Sequence, residues 1–243
     1  MSTSPDKAEA FRALHLGRPQ DDPLVLPGPW DAASARAFAE AGFPALATPS
    51  AGVAAALGYE DGHTPADEMF AAVARIARAV DVPVSADVEG GYGIAPKELV
   101  ERLLAAGAVG CNIEDSAEGV LKDPREHAEY LAEFCSAAAG RLFLNARVDT
   151  FVHGDGDPER AVERAAAYIA AGAGCVYPIL APVDALPVLR AGIEGPLNAL
   201  ALLDGDGPGP AALGGLGATR ITFGPQLQRR ATAAARELAA GLR

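Results

Sequence analysis

No apolar run in this 243-residue chain approaches the roughly eighteen residues that cross a bilayer, so no membrane association is expected. The first residues, Met1 to Lys7, are polar and hold no apolar signal core, which predicts a cytoplasmic protein. Basic residues are scarce: 20 Lys and Arg stand against 32 Asp and Glu, for a formal net charge of -12. Binding a phosphate backbone needs clustered Lys and Arg, so nucleic acid is excluded as a partner. The 3 cysteines, Cys111, Cys135 and Cys175, are far apart and form no CxxC, which argues for reduced thiols rather than a disulfide framework. The 4 histidines, His15, His63, His127 and His153, show neither HxH nor HExxH spacing, so no zinc site is expected. No GxGxxG follows the first apolar run, which disfavours a dinucleotide-binding open sheet.

What the chain does have is a repeated unit. With 50% hydrophobic content it can fill one large core, and a single domain over residues 1–243 is expected. After an N-terminal segment with helical spacing, Lys7 to Leu16, the same pattern recurs. A short apolar run meets a polar or glycine turn and then an alanine-rich amphipathic stretch. Eight runs read as strands: Leu24–Leu26, Ala45–Thr48, Val84–Ala86, Gly110–Ile113, Leu142–Asn145, Cys175–Pro178, Leu197–Leu200 and Arg220–Phe223. Helices are predicted near Ala32–Ala41, Pro65–Val80, Pro96–Ala106, Pro124–Ala139, Pro158–Ala171, Val183–Arg190, Pro208–Leu216 and Pro225–Leu242. Prolines open several of them, and glycine follows the last alanine at Gly42, Gly107 and Gly172. Eight β/α units in about 220 residues predict an α/β protein of the (β/α)8 TIM-barrel class with an N-terminal capping helix.

In such a barrel the functional residues follow the strands, at the C-terminal face. Those positions hold Trp30 and Asp31; Ser50, Ala51 and Gly52; Asp87 and Glu89; Glu114 and Asp115; Arg147 and Asp149; Tyr177; and Asn198. Residues before the strands are small or apolar, and this asymmetry places the polar set on one rim. The stretch Ser85-Ala86-Asp87-Val88-Glu89-Gly90-Gly91-Tyr92-Gly93 dominates it: an apolar strand runs straight into two carboxylates and a glycine-rich turn. With Glu114 and Asp61 these acids would repel one another unless a cation neutralises them. Oxygen ligands without His or Cys suit Mg²⁺. The other reading is that the acids cap the helices that follow. Arg147 offers a fork for a substrate carboxylate or an oxyanion, or else a structural ion pair with Asp149 or Glu114. Ser50, Ala51 and Gly52 bring backbone N–H groups close to an anion, or Ser50 caps a helix.

Five of these segments, in this order, carry a family likeness. Pro29-Trp30-Asp31, Ser50-Ala51-Gly52 with Leu57 to Asp61, Asp87 to Gly93, Asn112-Ile113-Glu114-Asp115 and Ala146-Arg147 resemble the isocitrate lyase/phosphoenolpyruvate mutase superfamily from about residue 12 to 235. The resemblance implies a Mg²⁺-dependent barrel acting on 2-oxo or 2-hydroxy acids. It implies that Asp87 binds the metal directly, while Glu89, Glu114 and Asp61 hold it largely through water. It further implies that Arg147 contacts the substrate and that Ser50, Ala51 and Gly52 bind its carboxylate or enolate oxygen. Asn198 lies on the remaining pocket wall with Trp30 and Tyr177. A homo-oligomer, dimer or tetramer, is implied too, since the family exchanges a late helix between subunits; this chain has one helix after its eighth strand.

The departures narrow the activity. Isocitrate and methylisocitrate lyases carry a Lys-x-Cys-Gly-His loop whose cysteine is the catalytic acid. Here Glu114 to Pro124 contains neither cysteine nor histidine, which rejects both activities. Mutases and phosphonopyruvate hydrolases use a longer gating loop with a lysine near the position of Val120; Lys122 stands two residues on. The leading expectation is a Mg²⁺-dependent lyase that cleaves a C–C bond of a small 2-oxo acid, as in oxaloacetate decarboxylation, through a stabilised enolate. Tyr92 is a candidate proton donor or simply a packing residue under the turn. The alternatives are P–C bond chemistry and a non-catalytic oxo-acid binding protein.

Overall fold

The eight apolar runs fold as eight parallel strands: β1 Leu24–Val25, β2 Leu46–Ala47, β3 Val84–Asp87, β4 Gly110–Ile113, β5 Phe143–Val148, β6 Cys175–Pro178, β7 Asn198–Leu200 and β8 Arg220–Thr222. The computed structural model describes residues 4–154, 156–205 and 207–242. Strands β2 to β6 form one continuous ladder, and β7, β8 and β1 form another. A bridge between Val176 and Leu197 joins β6 to β7, and Ala47 N–H donates to the Pro27 carbonyl (3.2 Å) between the chains that carry β1 and β2. The result is a closed barrel, which leaves no strand edge to pair with another chain.

Each strand is followed by a helix that covers it, and the caps are local. Asp123 accepts from the Arg125 and Glu126 N–H groups at the start of the helix Pro124–Ala138. Asp157 accepts from Glu159 N–H in front of the helix Pro158–Ala170. Asp31 forms a capping box with Ser34 ahead of Ala32–Glu40, which satisfies otherwise orphaned helix N–H groups. The helices Pro96–Ala105 and Pro124–Ala138 bury Leu99, Leu103, Leu131 and Phe134 completely. Truncating any of these to alanine removes roughly 2–5 kcal/mol of stability.

The N-terminal helix Ser4–Ala13 closes the barrel's bottom. Phe11 packs edge-on to Phe143 at 5.6 Å, and His15 stacks on the same ring at 4.1 Å. Gly110 is needed there because a Cβ would lie 2.8 Å from the Phe11 ring. With the bottom plugged, a ligand approaches from the opposite, C-terminal mouth.

Three elements are additional to the sequence-based assignment. Ser50–Leu57 is a helix, although its run of small and apolar residues has no polar face to create a helical period. Residues Ser116–Ala117 and Val120–Leu121 pair as an antiparallel hairpin. Thr150–His153 forms a single helical turn after β5. All three lie on the mouth side.

Candidate active site

The adjacent strands β3, β4 and β5 put Asp87, Asn112 and Asn145 in one row. Asp87 is buried beneath the mouth. One of its oxygens accepts from Ser50 N–H (3.4 Å) and Oγ (3.1 Å), and the other from Glu89 N–H (3.3 Å). Its own N–H donates to Thr48 Oγ1 (3.1 Å). Ser50 thus opens its helix with the hydroxyl turned onto the carboxylate rather than onto the helix's own N–H groups.

The turn after Asp87 is locally strained. Glu89 (φ 50°) and Tyr92 (φ 55°) take the left-handed conformation together with Gly91 (φ 86°) and Gly93 (φ 68°). A non-glycine residue there costs about 1 kcal/mol or more. The strain is held by Glu114 N–H donating to the Glu89 carbonyl (2.9 Å) and by Tyr130, whose hydroxyl donates to the Ile94 carbonyl (2.8 Å). A Cβ on Gly91 would sit 2.8 Å from that hydroxyl. The geometry turns the Glu89 carboxylate toward the cavity. Tyr92 packs its ring edge-on to Phe70 at 6.2 Å; its buried hydroxyl faces the Glu89 carboxylate, and neither it nor Glu89 Oε1 has another partner.

Arg147 projects from β5 and is forked onto Asp149 through Nε (2.9 Å) and Nη2 (3.1 Å), with Nη1 on Glu114. Asp149 is fully buried and also accepts from Ser116 Oγ. Behind it, Asp115 accepts from Asp149 N–H (2.7 Å), Arg164 Nη1 (2.8 Å) and the Tyr168 hydroxyl (2.7 Å). Asp115 is therefore a buried scaffold residue and not a rim ligand. Arg164 Nη2 also donates to the Lys122 carbonyl (2.9 Å), and Lys122 Nζ donates to the carbonyls of Gly90 (3.2 Å) and Glu114 (3.1 Å).

These bonds pin the hairpin Ser116–Leu121. Its tip residues, Glu118 (φ 50°) and Gly119 (φ 79°), have the paired positive φ of a tight two-residue turn. Lys122 is tied to two backbone carbonyls, so it does not act as a gating lysine over the cavity.

A cavity of about 670 Å³ opens at the mouth. It is lined by six sequence-predicted residues, Ser50, Asp61, Glu89, Tyr92, Glu114 and Arg147, with Asp87 just below, in contact with Ser50. Other predicted residues stand apart. Gly52 packs on Pro49 and Gln228, and Ala51 is half-buried in the same helix away from the cavity lining. Asn198 is buried inside the barrel, where it accepts from Thr222 Oγ1 (3.2 Å). Trp30 and Asp31 border a different, shallow depression. Among the lining residues that sequence reasoning missed are His63, Ser116, Glu118 and His153.

The acids are short of positive charge. Burial pushes Asp87 above the usual carboxylate range against the lowering pull of Arg147. Glu89 is pushed up to about 7 by burial, then by Asp87 and Asp61. Glu114 rises to about 8 through burial, with Asp87, Asp149 and Glu89 adding to it against Arg147. Among the described residues no three His, Cys, Asp or Glu side chains converge as a ready-made metal cage. The donor set nonetheless fits Mg²⁺, which takes one or two carboxylates and keeps several waters. Glu89 Oε1, met by nothing but the Tyr92 hydroxyl, and the raised acids are the features that a hydrated cation would satisfy. Asp87, Glu89 and Glu114 are the residues that would hold it.

The barrel with this mouth belongs to the phosphoenolpyruvate mutase/isocitrate lyase superfamily. The chain belongs to its phosphoenolpyruvate phosphomutase family, whose family model matches residues 11–243. An uncharacterised protein of Mycobacterium tuberculosis is 34% identical over 217 residues, covering 88% of this chain and 81% of that protein. The oxaloacetate decarboxylase of Rhodopseudomonas palustris is 31% identical over 158 residues, 55% of this chain and 52% of its own. A crystal structure from Burkholderia cenocepacia J2315, described only as a lyase/mutase, is 35% identical with a TM-score of 0.90, covering 98% of this chain and 87% of that one. Phosphonopyruvate hydrolase, solved with oxalate and Mg²⁺, shares the fold at 22% identity and a TM-score of 0.82, over 97% of this chain and 86% of its own.

Proposed function

We propose that this protein is a Mg²⁺-dependent lyase that cleaves a C–C bond of a small 2-oxo acid through an enolate, with oxaloacetate decarboxylation as the simplest case. The observation that carries the reading is the joint exposure of Glu89, Glu114 and Arg147 to one cavity above a buried Asp87. Membership of a family of lyases and mutases supports an enzyme. When bound, Mg²⁺ would supply the positive charge that draws electrons from the breaking bond.

The chain's own residues would do the rest. Ser50, fixed to Asp87, and Arg147, fixed to Asp149, would orient the 2-oxo acid end. The bond from C3 to the distal carboxylate breaks, CO2 leaves, and the electron pair moves into the C2 carbonyl to give an enolate. The Arg147 guanidinium stabilises the charge that develops there. A proton from solvent, or from the Tyr92 hydroxyl in the cavity wall, then adds at C3.

The test is incubation of the Mg²⁺-loaded protein with a panel of 2-oxo acids and phosphonopyruvate, with products followed by NMR. Release of CO2 and a shortened 2-oxo acid is expected. Turnover of phosphonopyruvate alone would replace this reading with P–C bond chemistry. Mg²⁺-dependent binding of oxalate without any product would replace it with a binding protein. The binding of Lys122 to backbone carbonyls favours the lyase over the mutase or hydrolase.

The working form would be a homo-oligomer. The last helix, Gln226–Ala240, buries no residue in the subunit, and Leu238 is 74% exposed. A second copy of this chain would cover it. Three free cysteines suit a reducing, cytoplasmic setting.

A further inference from the structure

The cavity is rich in acids and poor in cations. Asp61, Glu89, Glu114 and Glu118 line it. Its one arginine, Arg147, already faces two carboxylates, Asp149 and Glu114. Lys122 lies outside the lining and is held by two carbonyls. A substrate with a second anionic group would bring that group against Glu118 or Asp61 unless another donor meets it.

Among the described lining residues two further side chains can carry positive charge, His63 and His153. Each is set by its backbone. His153 ends the helical turn Thr150–His153, whose Val152 and His153 N–H groups both donate to the Asp149 carbonyl at 2.9 Å. The residue that fixes Arg147 thus also fixes the base of His153. Gly154 lets the chain leave at once, since a Cβ there would fall 2.6 Å from the Thr150 carbonyl oxygen. On the segment after the helix Ser50–Leu57, His63 N–H donates to the Glu60 carbonyl at 3.1 Å. Its Nδ1 pairs with the Asp61 carbonyl at 3.0 Å, which leaves Nε2 available to a ligand.

We propose that His153 and His63 form a second subsite that binds the distal anionic group of a dianionic substrate, with the 2-oxo acid end at Asp87 and Arg147. This deepens the lyase reading and rests on its placement of the 2-oxo acid end. What it adds is the pair of residues that would select, within that reaction, a 2-oxo acid bearing a second carboxylate. His63 Nδ1–H is committed to the Asp61 carbonyl, so its Nε2 donates to a carboxylate as the imidazolium, whereas a His153 ring N–H can donate in either protonation state.

The experiment compares two probes on the Mg²⁺-loaded protein and on the variants His153→Gln and His63→Gln. Oxaloacetate reaches both subsites, whereas oxalate fills only the 2-oxo acid end. The expected result is a rise in KM for oxaloacetate of about tenfold in each variant, with kcat within twofold and oxalate inhibition unchanged. A fall in kcat at constant KM would overturn the proposal and make the histidine a proton donor. Equal weakening of oxalate and oxaloacetate would also overturn it. If the wild type turns over no 2-oxo acid, the lyase reading fails by itself. Calorimetric Kd values for the two probes then decide the subsite: the oxaloacetate-to-oxalate ratio rises in the variants if it exists and stays constant if it does not.

Discussion

Arg147 reaches the cavity already fixed: Asp149, buried two residues on, holds its Nε and Nη2 at 2.9 and 3.1 Å. Two residues apart on an extended chain, the pair shares one side of the strand. The guanidinium therefore needs no reorganisation when a charge develops opposite it.

Asp149→Asn tests that arrangement. The substitution removes the charge that holds two guanidinium nitrogens and leaves Arg147 paired with Glu114 alone, at a cost of roughly 1–3 kcal/mol. Urea unfolding is expected to show a loss of that order. Activity is expected to fall by about two orders of magnitude, while the Mg²⁺ affinity, measured by calorimetry, changes far less.

Asp87→Asn addresses the metal end. The substitution keeps shape and the contacts from Ser50 but removes the buried negative charge. Mg²⁺-dependent turnover is expected to drop at least a hundredfold, with weaker Mg²⁺ binding by calorimetry. Full activity in this variant would refute the assignment of Asp87 as a metal ligand.

Acid stability follows from two buried histidines. Burial lowers His15 from 6.5 to about 3, helped by Arg220, and lowers His127 to about 3, helped by Lys122 and Arg164. Both fold in the neutral form while the unfolded chain takes up protons below 6.5, so their contribution is whole above that pH. It is lost as pH falls from 6.5 toward 3, by about 1.4 kcal/mol per pH unit for each group. His127→Phe keeps the packing beside Tyr168 and removes a ring nitrogen that has no partner. Its unfolding free energy, measured by urea between pH 7 and 4, should decline less steeply than that of the wild type.

Deleting the chain from Arg229 onward is expected to leave a folded monomer, because residues 229–242 are exposed in the subunit, whereas Gln226 and Leu227 contact its core. Light scattering would report the mass, and circular dichroism the retained fold. An unchanged mass would show that the contact between subunits lies elsewhere.

The barrel was legible because each strand run ends where an amphipathic stretch begins, and all eight strands fall where that alternation put them. The acids of the mouth were legible for the same reason: Asp87, Glu89 and Glu114 follow strands directly. Gly52 follows β2 yet packs on Pro49, and Asn198 opens β7 rather than following it and is enclosed by the barrel; strand register decides which residue faces the opening. The support beneath Arg147 was partly legible, as Asp149 stands at the i+2 position. Arg164 and Tyr168 reach Asp115 from 49 and 53 residues away, and no local pattern encodes such a pairing. His153 and His63 escaped notice because single histidines carry no spacing signal.

The hairpin Ser116–Leu121 is fastened at both ends, through Ser116 to Asp149 and through Lys122 to the β3 and β4 turns. An enzyme without a lid does not hold its substrate captive between arrival and reaction. A bound molecule leaves as freely as it entered, so its commitment to catalysis is low. For the chemistry proposed here, the carbon isotope effect of the breaking bond would then be expressed nearly undiluted in kcat/KM.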